Sequence, residues 1–359
     1  MDVVLRGADV VDGSGAPARR VDVGIQGDRI VAVGPDLDGG AAADVALDGL
    51  VLAPGFIDVH THLDAQVLWD PDVTPCSWYG VTSVVMGNCG FGIAPTRPEQ
   101  REAVLRIMES VEDMSYDCLQ AGITWNFETF PEYLDTLDRV PKRINVAAMV
   151  GHTPTRLYVL GDEADERTEL TGDELAQMRS IVDEALAAGA VGFATSRFPT
   201  ANGRDGRPVP SRLASVEECR HLIEAVQASD HGIFMAAWGP GLEPKDLTRI
   251  AEELDIAVTW APFAAKFLPD VTGTTARVVP QMITRPVVAQ LNLRKPYFFG
   301  VLDEFKQIIE APPERRASVY ADPAWRDIAR PAMHASRFGR SLTAMVISES
   351  PNQPALIGR

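Results

Sequence analysis

The chain has 359 residues, 46% of them apolar and 23% charged, an ordinary globular composition that excludes collagen-like, coiled-coil and wholly disordered proteins. Thirty-three basic against 50 acidic side chains give a formal charge of −17 with no Lys/Arg-rich run, a surface that repels a phosphate backbone, so nucleic acid is not an expected partner. The length has room for one (β/α)₈ barrel of roughly 250 residues plus an accessory module.

The opening Met1-Asp2-Val3-Val4-Leu5-Arg6-Gly7 has neither a basic stretch nor a continuous apolar one, and nowhere do about 18 apolar residues run together, so a cytoplasmic protein with no membrane partner is expected. Residues 1–50 read as short strands at 3–11, 21–26 and 29–33. Gly27-Asp28 lies between the last two as a tight hairpin turn. These strands form a small β module, with a larger domain over 51–359.

From residue 51 the pattern becomes short apolar runs alternating with helical periodicity. Strands are expected at 56–59, 81–86, 144–150, 191–195, 233–237, 256–260 and 287–291. Helices are expected at 171–188 and 215–229, where Thr171 with Glu174 and Ser215 with Glu218 read as capping boxes, and at 243–254. Short apolar strands separated by helices imply right-handed crossovers and a parallel sheet covered on both faces. A barrel and a doubly wound sheet both satisfy this, but no G-x-G-x-x-G follows a strand. Segments 269–281 and 311–331 are rich in turn formers, and no eighth strand is found.

Four cysteines (Cys76, Cys89, Cys118, Cys219) are too few and too scattered for a disulfide scaffold, and none forms a C-x-x-C pair. Chemistry concentrates at strand ends. In Asp58-Val59-His60-Thr61-His62 the two imidazoles are two residues apart and so point to one side, which suits a divalent metal. Cys89, in Gly87-Asn88-Cys89-Gly90 after strand 81–86, could ligate or bridge metal, or be a small buried residue. His152 follows the next strand, where it could orient a carbonyl or donate to a carboxylate. Ser196 and Arg197 follow the fourth, with Arg197 able to grip a carboxylate. His221, His231 and His334 lie away from strand ends, and no G-x-S-x-G offers a nucleophile.

The segments Asp58-Val59-His60-Thr61-His62-Leu63-Asp64, Trp69-Asp70-Pro71, Gly80-Val81-Thr82, Gly87-Asn88-Cys89-Gly90-Phe91 and Gly151-His152 resemble the N-acyl-D-amino-acid deacylase (D-aminoacylase) branch of the amidohydrolase superfamily. The resemblance implies a metal-dependent hydrolase built on an α/β (β/α)₈ TIM barrel with a small N-terminal β-sandwich module. It implies one or two zinc ions at His60, His62 and Cys89, the cysteine serving where other branches use a carboxylated lysine, since 191–197 contains no Lys. Zinc would polarise an amide carbonyl and activate water against a small N-acyl amino acid or related linear amide, with His152, Ser196 and Arg197 addressing the substrate.

The family also places metal-binding histidines at the ends of the fifth and sixth strands, where this chain reads Met235-Ala236-Ala237-Trp238 and Val258-Thr259-Trp260-Ala261. The family's catalytic Asp comes from the eighth strand, so no catalytic residue is assigned here. Trp238 and Trp260 at ligand positions favour the alternative of a non-catalytic or truncated barrel relative acting as a binding or assembly subunit. Association into homo-oligomers is left open.

Overall fold

The structure, a computed structural model, describes residues 1–359 apart from 39, 113, 204–205, 284–291, 295, 301, 337–344, 351–352 and 359. The chain divides into two compact units, one of residues 1–58 with 75–83, the other of 59–74 with 84–359.

The first unit carries a five-stranded sheet of β1 (Val3–Val10), β2 (Arg19–Gln26), β3 (Arg29–Gly34), β4 (Ala43–Ala46) and β5 (Val51–Leu52). Its order is β3-β2-β1-β4, with β5 also on β1. β1–β2 and β2–β3 are antiparallel, and the second pair is the expected hairpin, turning at Gly27 with φ of 57°. Ala8, Val10 and Val23 form its apolar centre. Arg6 holds Asp22 and Asp44 across the sheet.

Two strands follow, β6 (Phe56–Asp58) and β7 (Val81–Met86), then β8 (Asn145–Ala148) and β9 (Val150–Gly151). β7 lies between β6 and β8 in a three-stranded sheet. β8 and β9 are a single run bent at Met149, whose N–H donates to Met86 O, while Val191 N–H donates to Ala148 O. The expected strand 144–150 thus appears as two pieces facing different neighbours.

The second unit centres on a five-stranded sheet in the order β13-β12-β11-β10-β9, with β10 (Gly192–Ser196), β11 (Ile233–Ala237), β12 (Ala257–Ala261) and β13 (Val278–Pro280). Every pair in it is parallel. All of β10 and four of the five residues of β11 are buried, as a parallel sheet covered on both faces requires. The fold is therefore α/β with a parallel sheet.

The three helices expected from the sequence pack against this sheet. Gly172–Ala187 has the full capping box, Thr171 accepting from Glu174 N–H and Glu174 returning to Thr171 N–H. Val216–Ala228 starts at Ser215, but the Glu218 side chain turns inward instead of returning to the cap. Pro244–Leu254 follows Glu243.

Two expectations need correction. Segment 269–281 contains β13, a three-residue strand that ends on proline, which a sheet tolerates at an edge. Segment 311–331 is mostly helical, Pro313–Ala321 and Pro323–Ala335; Pro313 and Pro323 stand in the first turn, where no N–H is needed, and Pro331 is carried inside the second helix. These helices bury Phe299, Phe305, Ile308, Trp325 and Ala329 together. The expected strand 287–291 lies outside the described residues. Among the described residues no helix is long and apolar enough to cross a membrane.

Candidate metal centre

His60 and His62 stand just beyond the end of β6, on a segment stitched to β7 by Thr61. Its N–H and its hydroxyl both donate to Val85 O, at 3.1 and 2.8 Å. With Thr61 fixed to one side, the flanking imidazoles share the other, their ring centroids 5.3 Å apart. Asn88, fully buried, ties the same segment to the cysteine loop by donating from Nδ2 to Val59 O and Val85 O.

The loop after β7 doubles back tightly. Gly87, Cys89 and Gly90 have φ of 78°, 55° and 71°. A Cβ on Gly87 would lie 2.1 Å from Met149 O, and one on Gly90 would lie 2.7 Å from Thr195 Cα, so both positions need the missing side chain as well as the left-handed backbone. Gly87→Ala is expected to cost about 2–4 kcal/mol by combining strain with overlap. Thermal unfolding of the metal-free chain checks this, and a variant as stable as its parent would contradict the geometry.

This turn brings Cys89 Sγ to 3.3 Å from His60 Nε2, while Cys89 N–H points at Met235 Sδ at 3.3 Å. Ligand atoms of His60, His62 and Cys89 all lie within 4.8 Å of one another. A tetrahedral divalent ion with bonds of about 2.0–2.3 Å spaces its donors roughly 3.3–3.7 Å apart, so the set fits one. His62 Nδ1 is buried without a partner, as a ligand atom awaiting an ion would be.

Burial, and then the His60 charge, pushes the His62 imidazole down to about 3. Burial, followed by the Glu112 charge, pushes the Cys89 thiol well up. Two carboxyls join the cluster. Asp64 is pushed up to about 7 by burial, with Oδ2 unpartnered, and Glu112 up to about 8 by burial and then by Asp64. A dication would offset these costs together by favouring thiolate and carboxylate. His60 Nδ1 meets Gln281 Oε1, which leaves Nε2 facing the thiol.

The structure thus gathers His60, His62 and Cys89. His152, Ser196 and Arg197 lie elsewhere in the packing. His152 is fully buried, Nδ1 at 2.8 Å from Thr195 Oγ1 and Nε2 at 2.9 Å from Glu218 Oε1. Glu218 also binds Arg156, whose Nη2 donates to Arg167 O. Ser196 is buried at the end of β10, and Arg197 beyond it donates to Pro240 O and Ala214 O.

Sequence reasoning missed Asp64, Glu112, Gln281, Arg156 and the inward role of Glu218. Only Asp64 carried a signal, its place in the motif Asp58–Asp64 quoted for the resemblance. The rings of Trp238 and Trp260 meet Phe198, Phe263 and Phe267 among the described residues, not the imidazoles.

Against known proteins, the chain matches the amidohydrolase family over residues 45–258. It is 39% identical over 266 residues to D-aminoacylase of Alcaligenes xylosoxydans xylosoxydans, covering 72% of this chain and 49% of that one. To N-acyl-D-glutamate deacylase of the same organism it is 39% identical over 235 residues, covering 65% and 44%. The chain spans about half the length of the curated relatives it matches. Among solved structures, a D-aminoacylase studied for its binuclear metal centre aligns with TM-score 0.63 and 32% identity, covering 78% of this chain and 58% of that one. N-acyl-D-glutamate deacylase from Bordetella bronchiseptica, complexed with zinc and a phosphonate inhibitor, aligns with TM-score 0.59 and 30% identity, covering 72% and 50%. On the match over residues 45–258 the chain belongs to the amidohydrolase family.

Proposed function

We propose that this chain is a zinc-dependent amidohydrolase of the N-acyl-D-amino-acid deacylase type, with a small N-acyl amino acid or related linear amide as substrate. The observation that supports it most is the approach of Cys89 Sγ to His60 Nε2 at 3.3 Å beside an unpartnered His62 Nδ1. His60, His62 and Cys89 would hold the ion, three protein ligands being the usual number for a catalytic zinc. When bound, zinc supplies Lewis acidity toward an amide carbonyl and lowers the pKa of water.

The chain's own groups hold this arrangement. Thr61 and Asn88 lock the histidine segment to β7, and Gln281 accepts at His60 Nδ1, keeping Nε2 turned toward Cys89 Sγ. Ser196 and Arg197 form the substrate side of β10, and His152 acts behind them through Thr195 rather than by contact. Strands β6 to β13 are taken as the larger part of a TIM barrel, β8 and β9 counting as one, and the N-terminal sheet as part of a small β-sandwich, with domains at 1–50 and 51–359.

The test uses the purified 359-residue chain at verified mass. Metal analysis should find stoichiometric zinc. A panel of N-acyl-D-amino acids should release free amino acid in a reaction that a chelator stops and zinc restores. Protein with neither bound zinc nor turnover would sink the reading.

A further inference from the structure

We propose that Glu112 is a positioning residue for the metal centre, fixing the His62 ring by accepting from Nε2–H so that Nδ1 is left for the ion. The inference rests on the reading of His60, His62 and Cys89 as a zinc site. Glu112 Oε1 lies 3.4 Å from His62 Nε2, with the two side chains 21% and 14% exposed. The other ring nitrogen, Nδ1, is buried and has no partner. One nitrogen held by a carboxylate and the other open is how a metal-binding imidazole is commonly prepared, because the held N–H selects the tautomer and makes the free nitrogen more basic.

The place of Glu112 in the fold argues for function over stability. It is the last residue of the helix Arg101–Glu112, so its carboxylate sits at the negative end of the helix dipole, and the last turn has no basic residue. Arg106, on the same helix, is engaged by Glu102 and Glu109. Among the described residues no Lys or Arg reaches ion-pair distance of Glu112; its partner is His62. A carboxylate turned inward toward an imidazole, near enough to the half-buried Cys89 thiol and the Asp64 carboxyl for their charges to act on one another, is unfavourable in the metal-free chain. An ion on His62 would turn that cost into attraction. His60 shows the same arrangement with a neutral acceptor, its Nδ1 meeting Gln281 Oε1.

The experiment compares zinc affinity, by competition with a chromophoric chelator, and thermal midpoints of the metal-free protein for wild type, Glu112→Ala and Glu112→Gln. Glu112→Ala should weaken zinc binding about 10–100-fold. Glu112→Gln should recover most of that loss, because its amide oxygen still accepts from Nε2–H. The metal-free midpoint of Glu112→Ala should equal or exceed that of wild type. Unchanged zinc affinity in Glu112→Ala overturns the proposal, and so does a Glu112→Gln loss as large as that of Glu112→Ala. A lowered metal-free midpoint in Glu112→Ala would mark Glu112 as packing alone and also overturn it. If wild type takes up no zinc, the metal-site reading fails as well; if wild type binds and Glu112→Ala binds equally, only this inference fails.

Discussion

Cys89→Ala removes zinc from the protein while leaving it folded, and of all single changes at the site it has the largest expected effect on metal. Structural zinc sites bind with roughly 10–16 kcal/mol over four ligands, about 2.5–4 kcal/mol each, so losing one donor of three weakens binding by about two to three orders of magnitude. The thiol is the donor least suited to its surroundings without metal, since burial and the Glu112 charge oppose the thiolate. Its backbone is also in the left-handed region, at φ of 55°. A non-glycine residue kept in that conformation, with a half-buried ionisable group, is the kind of strained position that clusters at functional sites. Cys89→Gly separates the two contributions. It loses the metal to the same extent, yet glycine adopts this φ without strain, so its metal-free thermal midpoint is expected at or above that of Cys89→Ala. Zinc titration and melting curves on the three proteins check both points. A Cys89→Ala protein that keeps wild-type zinc affinity would remove the thiol from the site.

The half of the centre legible in the sequence is the half that local geometry controls. Residues two apart on an extended segment share a side, so His60 and His62 announced themselves, and glycines around Cys89 at a strand end marked a place where the backbone turns sharply. Helix starts were legible for the same reason, as at Thr171. What lay hidden depends on distant contacts. Glu112 ends a charged helix and looks like any exposed acid until the fold brings it beside a histidine 50 positions earlier. Gln281 stands in a segment read as turns because β13 is only three residues long. Glu218 fits the capping-box spacing after Ser215, a local explanation sufficient in itself, yet its carboxylate goes to residues of another helix. The helical tail was misread because composition registers proline only as a turn former, whereas Pro313 and Pro323 begin helices at their first turn and Pro331 is carried inside one.

The largest loss of stability is expected from Glu218→Gln. His152, Arg156 and Glu218 are 0%, 0% and 3% exposed, and Arg156 Nη1 lies 2.7 and 2.5 Å from the two Glu218 oxygens. With Glu218 ionised and His152 neutral, Nε2–H donates to Glu218 and Nδ1 accepts from Thr195 Oγ1–H, so each hydrogen-bonding group of the imidazole is used. Replacing the carboxylate leaves the Arg156 guanidinium buried without a counter-charge, which costs about 3–5 kcal/mol. Exchanging both partners for apolar residues, Arg156→Met with Glu218→Leu, removes that uncompensated charge and is expected to recover most of the loss. Denaturant unfolding of the single and double variants measures this; a Glu218→Gln protein within about 1 kcal/mol of wild type would show the pair to be unimportant.

The same cluster gives stability a dependence on acid. Burial holds the His152 imidazole below its ordinary 6.5, outweighing the upward pull of Glu218, so the unfolded chain takes up that proton first. The contribution is complete above pH 6.5 and is lost as pH falls toward the folded value. Burial pushes Glu218 up, but the hydrogen bonds from His152 and Arg156, with the charge of Arg156, outweigh it and hold the carboxyl below its ordinary 4.5. Its contribution is present above pH 4.5 and is lost at still lower pH. Both signs agree, so unfolding free energy should decline as pH falls below 6.5, and His152→Gln should flatten the onset of that decline just below pH 6.5 while also reducing the Glu218 contribution, which His152 helps to sustain.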